Sequence, residues 1–181
     1  MGNIDFLPRK LNHNNIEESI LEYKRRLNEI PLNIKASSLL ELMNILKRNK
    51  IGKGPYPNVT IFEAANRIMT DLVVLGGVRL LLNRIIHDIN FDEYTVEYGN
   101  EDNNAHDITA FCNGITLKCE VFNVAELFFQ TKKAKSLSKL RKNKNDKDLL
   151  LIMYNKDAVS TNYQPKQVSS EYYLAVDIEE V

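Results

Sequence analysis

Asn113-Gly114 lies between two stretches in which apolar and polar residues alternate, and it restricts the fold of this 181-residue chain more tightly than any other feature. A two-residue hairpin of type I′ needs positive φ at both central positions, which Asn and Gly tolerate best. With Asn113 and Gly114 at the turn, Cys112 opposes Ile115, Ala110 opposes Leu117, Thr109 opposes Lys118 and Asp107 opposes Glu120. Period-2 alternation then divides the hairpin into two faces. Ile108, Ala110, Cys112, Ile115, Leu117, Cys119 and Val121 make an apolar face that packs inward. Asp107, Thr109, Phe111, Thr116, Lys118, Glu120 and Phe122 make the other. Two carboxylates directly across a ladder destabilise it unless a cation compensates them, so the Asp107/Glu120 pair calls for a functional explanation.

The formal net charge of zero conceals a strong polarisation. Between Lys132 and Lys147 there are eight Lys/Arg and one acid, whereas no Lys or Arg occurs from Ile85 through Leu117. That second segment holds Asp88, Asp92, Glu93, Glu97, Glu101, Asp102 and Asp107. An acidic centre beside a basic helix suggests a metal beside phosphate. Cys112 and Cys119 share a face without opposing each other, which reads as two reduced core thiols. There is no uninterrupted apolar run of about 18 residues and no leader-like segment. A cytoplasmic protein with no membrane association is expected.

The helical period picks out further elements. Ile16, Ile20, Tyr23, Leu27 and Ile30 recur at helical spacing, and Leu39 to Leu46 gives a second apolar stripe after an irregular lead-in of about a dozen residues. We assign residues 1–57 to an N-terminal helical extension, whose apolar stripes could serve as a homodimer or partner surface, and 58–181 to an α/β core. Thr60 and Glu63 form a capping box that opens a helix through Leu75, with Val78 to Ile86 either continuing it or forming another. Tyr94, Val96 and Tyr98 alternate as a strand. After the hairpin, Ala125 to about Asn143 favours helix, Leu149 to Tyr154 reads as a strand covered on both faces, and Tyr172 to Ile178 as a last strand. A meander joined by a crossover helix to a buried strand makes a mixed sheet flanked by helices.

Hard oxygen donors such as Asp107 and Glu120 suit Mg²⁺ or Mn²⁺, which keep several waters and share their shell with substrate phosphate. A lysine nearby can stabilise developing charge, and the chemistry implied is phosphodiester hydrolysis. The element order, with an Asp at the start of the second meander strand and an acid in the third, resembles the PD-(D/E)XK nuclease superfamily over roughly 60–181. The resemblance implies a restriction endonuclease-like mixed β-sheet flanked by helices, with Asp107 and Glu120 as metal ligands. It also implies a metal-dependent nuclease, with DNA expected ahead of RNA. The motif places a lysine two residues after the acid, where this chain has Phe122.

Two substitutes for that lysine present themselves. Lys118 lies on the same strand face as Glu120, and Lys133 with Gln130 falls on the inward side of the following helix. Lys118 is favoured, because strand alternation fixes its direction. Glu63 is a further site candidate, although its capping box and an i,i+4 pair with Arg67 also account for it. Lys132, Lys135, Lys139 and Lys142 share a sector of about 80° on the opposite side of that helix, a stripe for contacting a phosphate backbone. With no aromatic residue interleaved among these lysines, base stacking is not expected. His106 is expected to face away from Asp107 as a structural or surface residue, and His13 and His87 have no partner spacing for zinc. The alternative function, prompted by Phe122, is a non-catalytic module of the same fold that binds nucleic acid or protein.

Overall fold

A computed structural model describes residues 4–99, 104–142 and 144–181. Glu101 and Asp102 of the acidic segment, and Asn143 at the expected helix end, lie outside the described residues. The described residues form six strands and four α-helices. The elements are β1 (Lys10–Asn12), α1 (Ile16–Asn28), α2 (Leu39–Arg48), α3 (Ile61–Leu82), β2 (Glu93–Val96), β3 (Ile108–Cys112), β4 (Ile115–Phe122), α4 (Glu126–Lys142), β5 (Asp148–Asn155) and β6 (Glu171–Val176). The strands lie in sequence order in one mixed sheet. Strands β1 to β4 are antiparallel, and β4, β5 and β6 run parallel.

The hairpin register is the expected one. Cys112 pairs with Ile115, Ala110 with Leu117 and Thr109 with Lys118. Asn113 has φ +51° and Gly114 φ +78°, the left-handed values a type I′ turn requires. The ladder ends at Ile108–Cys119, so Asp107 and Glu120 lie one step beyond the last pair rather than within it.

Alternation along β4 and β5 separates two apolar clusters. Leu117, Cys119, Val121, Leu151 and Met153 face one side, where they join buried residues of α1, α3, β2 and β6. Phe122, Leu150, Ile152 and Tyr154 face the other, against Phe129, Leu137 and Leu140 of α4. Strand β5 therefore reads as a continuous apolar run because both of its faces are covered. The lead-in is not irregular throughout: Lys10–Asn12 pairs with Asn12 opposite Glu93 and forms an edge strand. Three residues are too short to show a periodic signal. Leu11, Ile16, Ile20 and Tyr23 enter the main cluster, whereas α2 contributes no buried residue and leaves Leu39, Leu40 and Met43 exposed.

Helix α3 runs unbroken through Gly76-Gly77. A Cβ on Gly76 would come within 2.4 Å of Val181 Cγ2 and 2.9 Å of Val176 Cγ1, and one on Gly77 within 1.6 Å of Met153 Cε. The two glycines let the helix backbone approach the sheet, which explains why a helix interior tolerates them. One turn earlier, the fully buried Asp71 accepts hydrogen bonds from Tyr23 Oη at 2.5 Å, from Tyr56 Oη and from Gly99 N at 3.0 Å. This network ties α1, the loop before α3 and the end of β2 to α3.

Candidate functional site

The polar face of the hairpin lies under one flank of α4. Asp107 sits just ahead of β3, where its main-chain oxygen accepts from Glu97 N at 2.8 Å and its Oδ2 accepts from Val121 N at 2.7 Å. The side chain thereby satisfies a β4 donor that the shortened ladder leaves without a strand partner. Burial is the main reason its carboxyl is pushed up from 3.8 to about 6. The Val121 hydrogen bond opposes the shift, nearby Glu120 adds to it, and Lys139 and Lys132 reduce it.

Glu120 is buried, with 6% of its surface exposed. Its carboxylate accepts from Lys139 Nζ at 2.9 Å and lies 2.8 Å from His106 Nδ1. Two carboxylates, the Lys139 ammonium and the His106 ring thus meet where β3 and β4 separate. Deeper under α4, Lys118 Nζ donates to Asp148 Oδ2 at 2.6 Å, and Arg141 holds Glu171 through two bonds of 2.7 Å. Burial would raise the Asp148 carboxyl, but Asn145 N–H and Lys118 together hold it below its ordinary value.

Several sequence expectations change at this point. Lys118 shares the strand face of Glu120 as alternation requires, yet it is committed to Asp148, an acid at the start of β5 that the sequence reading did not single out. Lys133 Nζ donates to Tyr163 Oη at 3.0 Å beside Phe129, and Gln130 is exposed, so neither is brought to the carboxylates. Thr60 caps α3, its Oγ1 accepting from Glu63 N, and the Glu63 side chain pairs with Arg67 at 2.5 Å. The lysine that contacts the acids is Lys139 of the outer stripe, while Lys132 Nζ lies 6.0 Å from the Phe122 ring centroid and acts on Asp107 only as a more distant positive charge. Lys135 and Lys142 remain exposed.

The physical reason is the placement of α4. The centre of its inward face, marked by Phe129, Ser136, Leu137 and Leu140, covers the aromatic and aliphatic cluster on β5. The β3–β4 acids therefore lie beneath its flank, where Lys132 and Lys139 project at seven-residue spacing. His106 lies on the Glu120 side rather than facing away, because the strand, and with it the alternation of faces, begins only at Ile108. Phe122, at the position of the motif lysine, is 2% exposed and packs with Phe129 and Tyr154 at centroid distances of 6.0 and 6.2 Å.

Asp107 and Glu120 have the donor chemistry for a hard divalent cation. Among the described residues there is no group of three or more His, Cys, Asp or Glu side chains able to hold a metal ion. Two carboxylates still fit Mg²⁺ or Mn²⁺, since these ions take the balance of their shell from water and phosphate oxygens. The Asp107 carboxyl, pushed up chiefly by desolvation with Glu120 adding to the shift, has the kind of perturbation that clusters at functional sites. Among the described residues no helix is long and apolar enough to cross a membrane.

Fold and site together define a mixed α/β protein with an acidic pair at the mouth of a hairpin and a lysine-bearing helix above it. No family model, no curated protein and no solved structure matches the chain.

Proposed function

We propose that the chain is a metal-dependent nuclease of the PD-(D/E)XK kind, hydrolysing phosphodiester bonds with DNA as the favoured substrate. The observation that carries this reading is the placement of the half-buried Asp107 beside the buried Glu120 where β3 and β4 separate, with Lys139 of α4 on the Glu120 carboxylate. The order α3–β2–β3–β4–α4–β5, with the acids on β4 and just before β3, agrees with the resemblance noted in the sequence. Asp107 and Glu120 would hold Mg²⁺, which when bound polarises a phosphoryl oxygen and makes water more acidic.

The remaining work falls to this chain's own groups. Lys139 holds the Glu120 carboxylate in place and brings positive charge to where a phosphate would sit. Lys132 supplies a second cation toward Asp107. His106 fixes the other side of Glu120 and can hold a proton at Nδ1. Phe122 and its aromatic neighbours close the side of the site that the motif lysine would occupy, so Lys139 takes that electrostatic role from the helix.

A second reading is favoured by the same contacts: Glu120 engaged by two partners and Phe122 sealed in a cluster also suit a non-catalytic module that binds nucleic acid or protein. Incubation with plasmid, linear and single-stranded DNA and with RNA, in Mg²⁺ or Mn²⁺, separates the two. The nuclease reading expects cleavage that requires metal and is abolished in Asp107→Asn and Glu120→Gln. Absence of cleavage on every substrate, or cleavage undiminished in both variants, would overturn it.

A further inference from the structure

Phe128 is 61% exposed in the first turn of α4, and its neighbour Leu127 is 85% exposed. At 100° per residue, Phe128 falls in the same helical sector as Lys132, Lys135 and Lys139, four, seven and eleven residues further on. The lysine stripe therefore does carry an aromatic residue, at its N-terminal end and one turn from Lys132. Lys139 contacts Glu120, so the stripe runs from the ring to the acidic pair.

The next residue, Phe129, is 2% exposed and lies 4.8 Å from Tyr154 and 5.2 Å from Tyr163 between ring centroids. These contacts pin the backbone beneath Phe128, so its ring is presented from a fixed base rather than from a mobile loop. A large aromatic ring exposed beside aligned cations combines the two parts of a single-strand binding site, a face for a base and charges for its backbone. Bases in a duplex are already stacked on their neighbours and leave no face for such a ring. A second copy of the chain is a poor occupant, because two lysine stripes would then face each other.

We propose that Phe128 is a stacking platform for an unpaired base and that this face of α4 binds single-stranded DNA, leading its backbone toward Asp107 and Glu120. The proposal deepens the nuclease reading and rests on its assignment of that site, but its test needs no metal and no cleavage. The chain contains no Trp, so Phe128→Trp introduces a single reporter. Titration of this variant with oligo-dT in the presence of a chelator is expected to give saturable quenching. Phe128→Ala should weaken oligo-dT binding about tenfold and change binding of a duplex of equal length by less than about twofold. Lys135→Ala should weaken both.

Unchanged Trp emission while oligo-dT binds, or an equal loss on single strand and duplex in Phe128→Ala, would overturn the proposal. Quenching by oligo-rU but not by oligo-dT would overturn the DNA assignment. A dimer in solution that Phe128→Ala dissociates would show that a second copy covers this face, and would also overturn it. Quenching in the absence of any nuclease activity would leave the stacking platform standing and reject only the catalytic reading.

Discussion

At Asp107 the fold works against the charged state of its own side chain. A carboxyl whose pKa rises from 3.8 to about 6 on folding is bound more favourably when protonated. Its contribution to stability is therefore fully present below pH 3.8 and is lost as pH rises through about 6. Asp107→Asn keeps an acceptor for Val121 N and removes the penalty. The variant should be more stable than wild type by about 2 kcal/mol at pH 7.5, with the difference vanishing near pH 3.5. Urea unfolding at the two pH values checks this; a variant less stable than wild type at pH 7.5 would show that the charged form is satisfied in the native state. Lys118 behaves oppositely. Its partner Asp148 has only 4% of its side chain exposed, so Lys118→Met leaves a buried charge without its cation and should cost about 3 kcal/mol. Lys139 is half-exposed, and Lys139→Met should cost less in stability than Lys118→Met while costing more in cleavage. Comparing denaturation midpoints and rates for the pair decides which lysine serves the fold and which serves the site.

At the scale of elements, α4 docks by two different means. Its N-terminal half inserts Phe129 among Phe122, Tyr154 and Tyr163, and its C-terminal half reaches acids on the strands through Lys139–Glu120 and Arg141–Glu171. The sequence displayed the hairpin register, because Asn-Gly fixes the turn and a period of two fixes which residues share a face, but Cys112 and Ile115 beside the turn are exposed rather than packed inward as core. It displayed α4 as a helix but not its placement, because the helical period gives relative directions and says nothing of which strand lies below. His106 and Asp148 were missed for a related reason. Each sits at or beyond the end of a strand, where alternation no longer governs direction. Helix α3 illustrates the same limit, since its glycines look like a break until the sheet behind them is seen. Gly76→Ala should raise helix propensity by about 1 kcal/mol, yet the β-branched Val176 and Val181 stand in the way of the new methyl. Overpacking of about 1–3 kcal/mol should prevail, and thermal unfolding should show a lower midpoint than wild type. An unchanged or higher midpoint would mean the segment carrying Val181 yields freely.

Across the whole molecule, one sheet separates an apolar side, where α1 and α3 supply most of the core, from a side where α4 covers both a small aromatic cluster and a set of acids. The chain's neutral total is thus distributed unevenly, with buried carboxylates on the sheet answered by Lys139 and Arg141 of α4 and by Lys118 of β4. Mixed topology and the covering of β5 on both faces were legible because they follow from element order and an unbroken apolar run. The ionic layer under α4 was not, since its members come from β4, α4, β5, β6 and the residues just before β3, and no local period relates their directions. The central claim is that Asp107 and Glu120 are held together for a divalent cation, and the most direct measurement is the unfolding midpoint at pH 7.5 as Mg²⁺ or Mn²⁺ is titrated. For an ion bound in the millimolar range, 10 mM metal should raise the wild-type midpoint by about 3–5 °C and leave Asp107→Asn and Glu120→Gln unmoved. A wild-type midpoint that ignores the metal, or an equal rise in both variants, would contradict the claim.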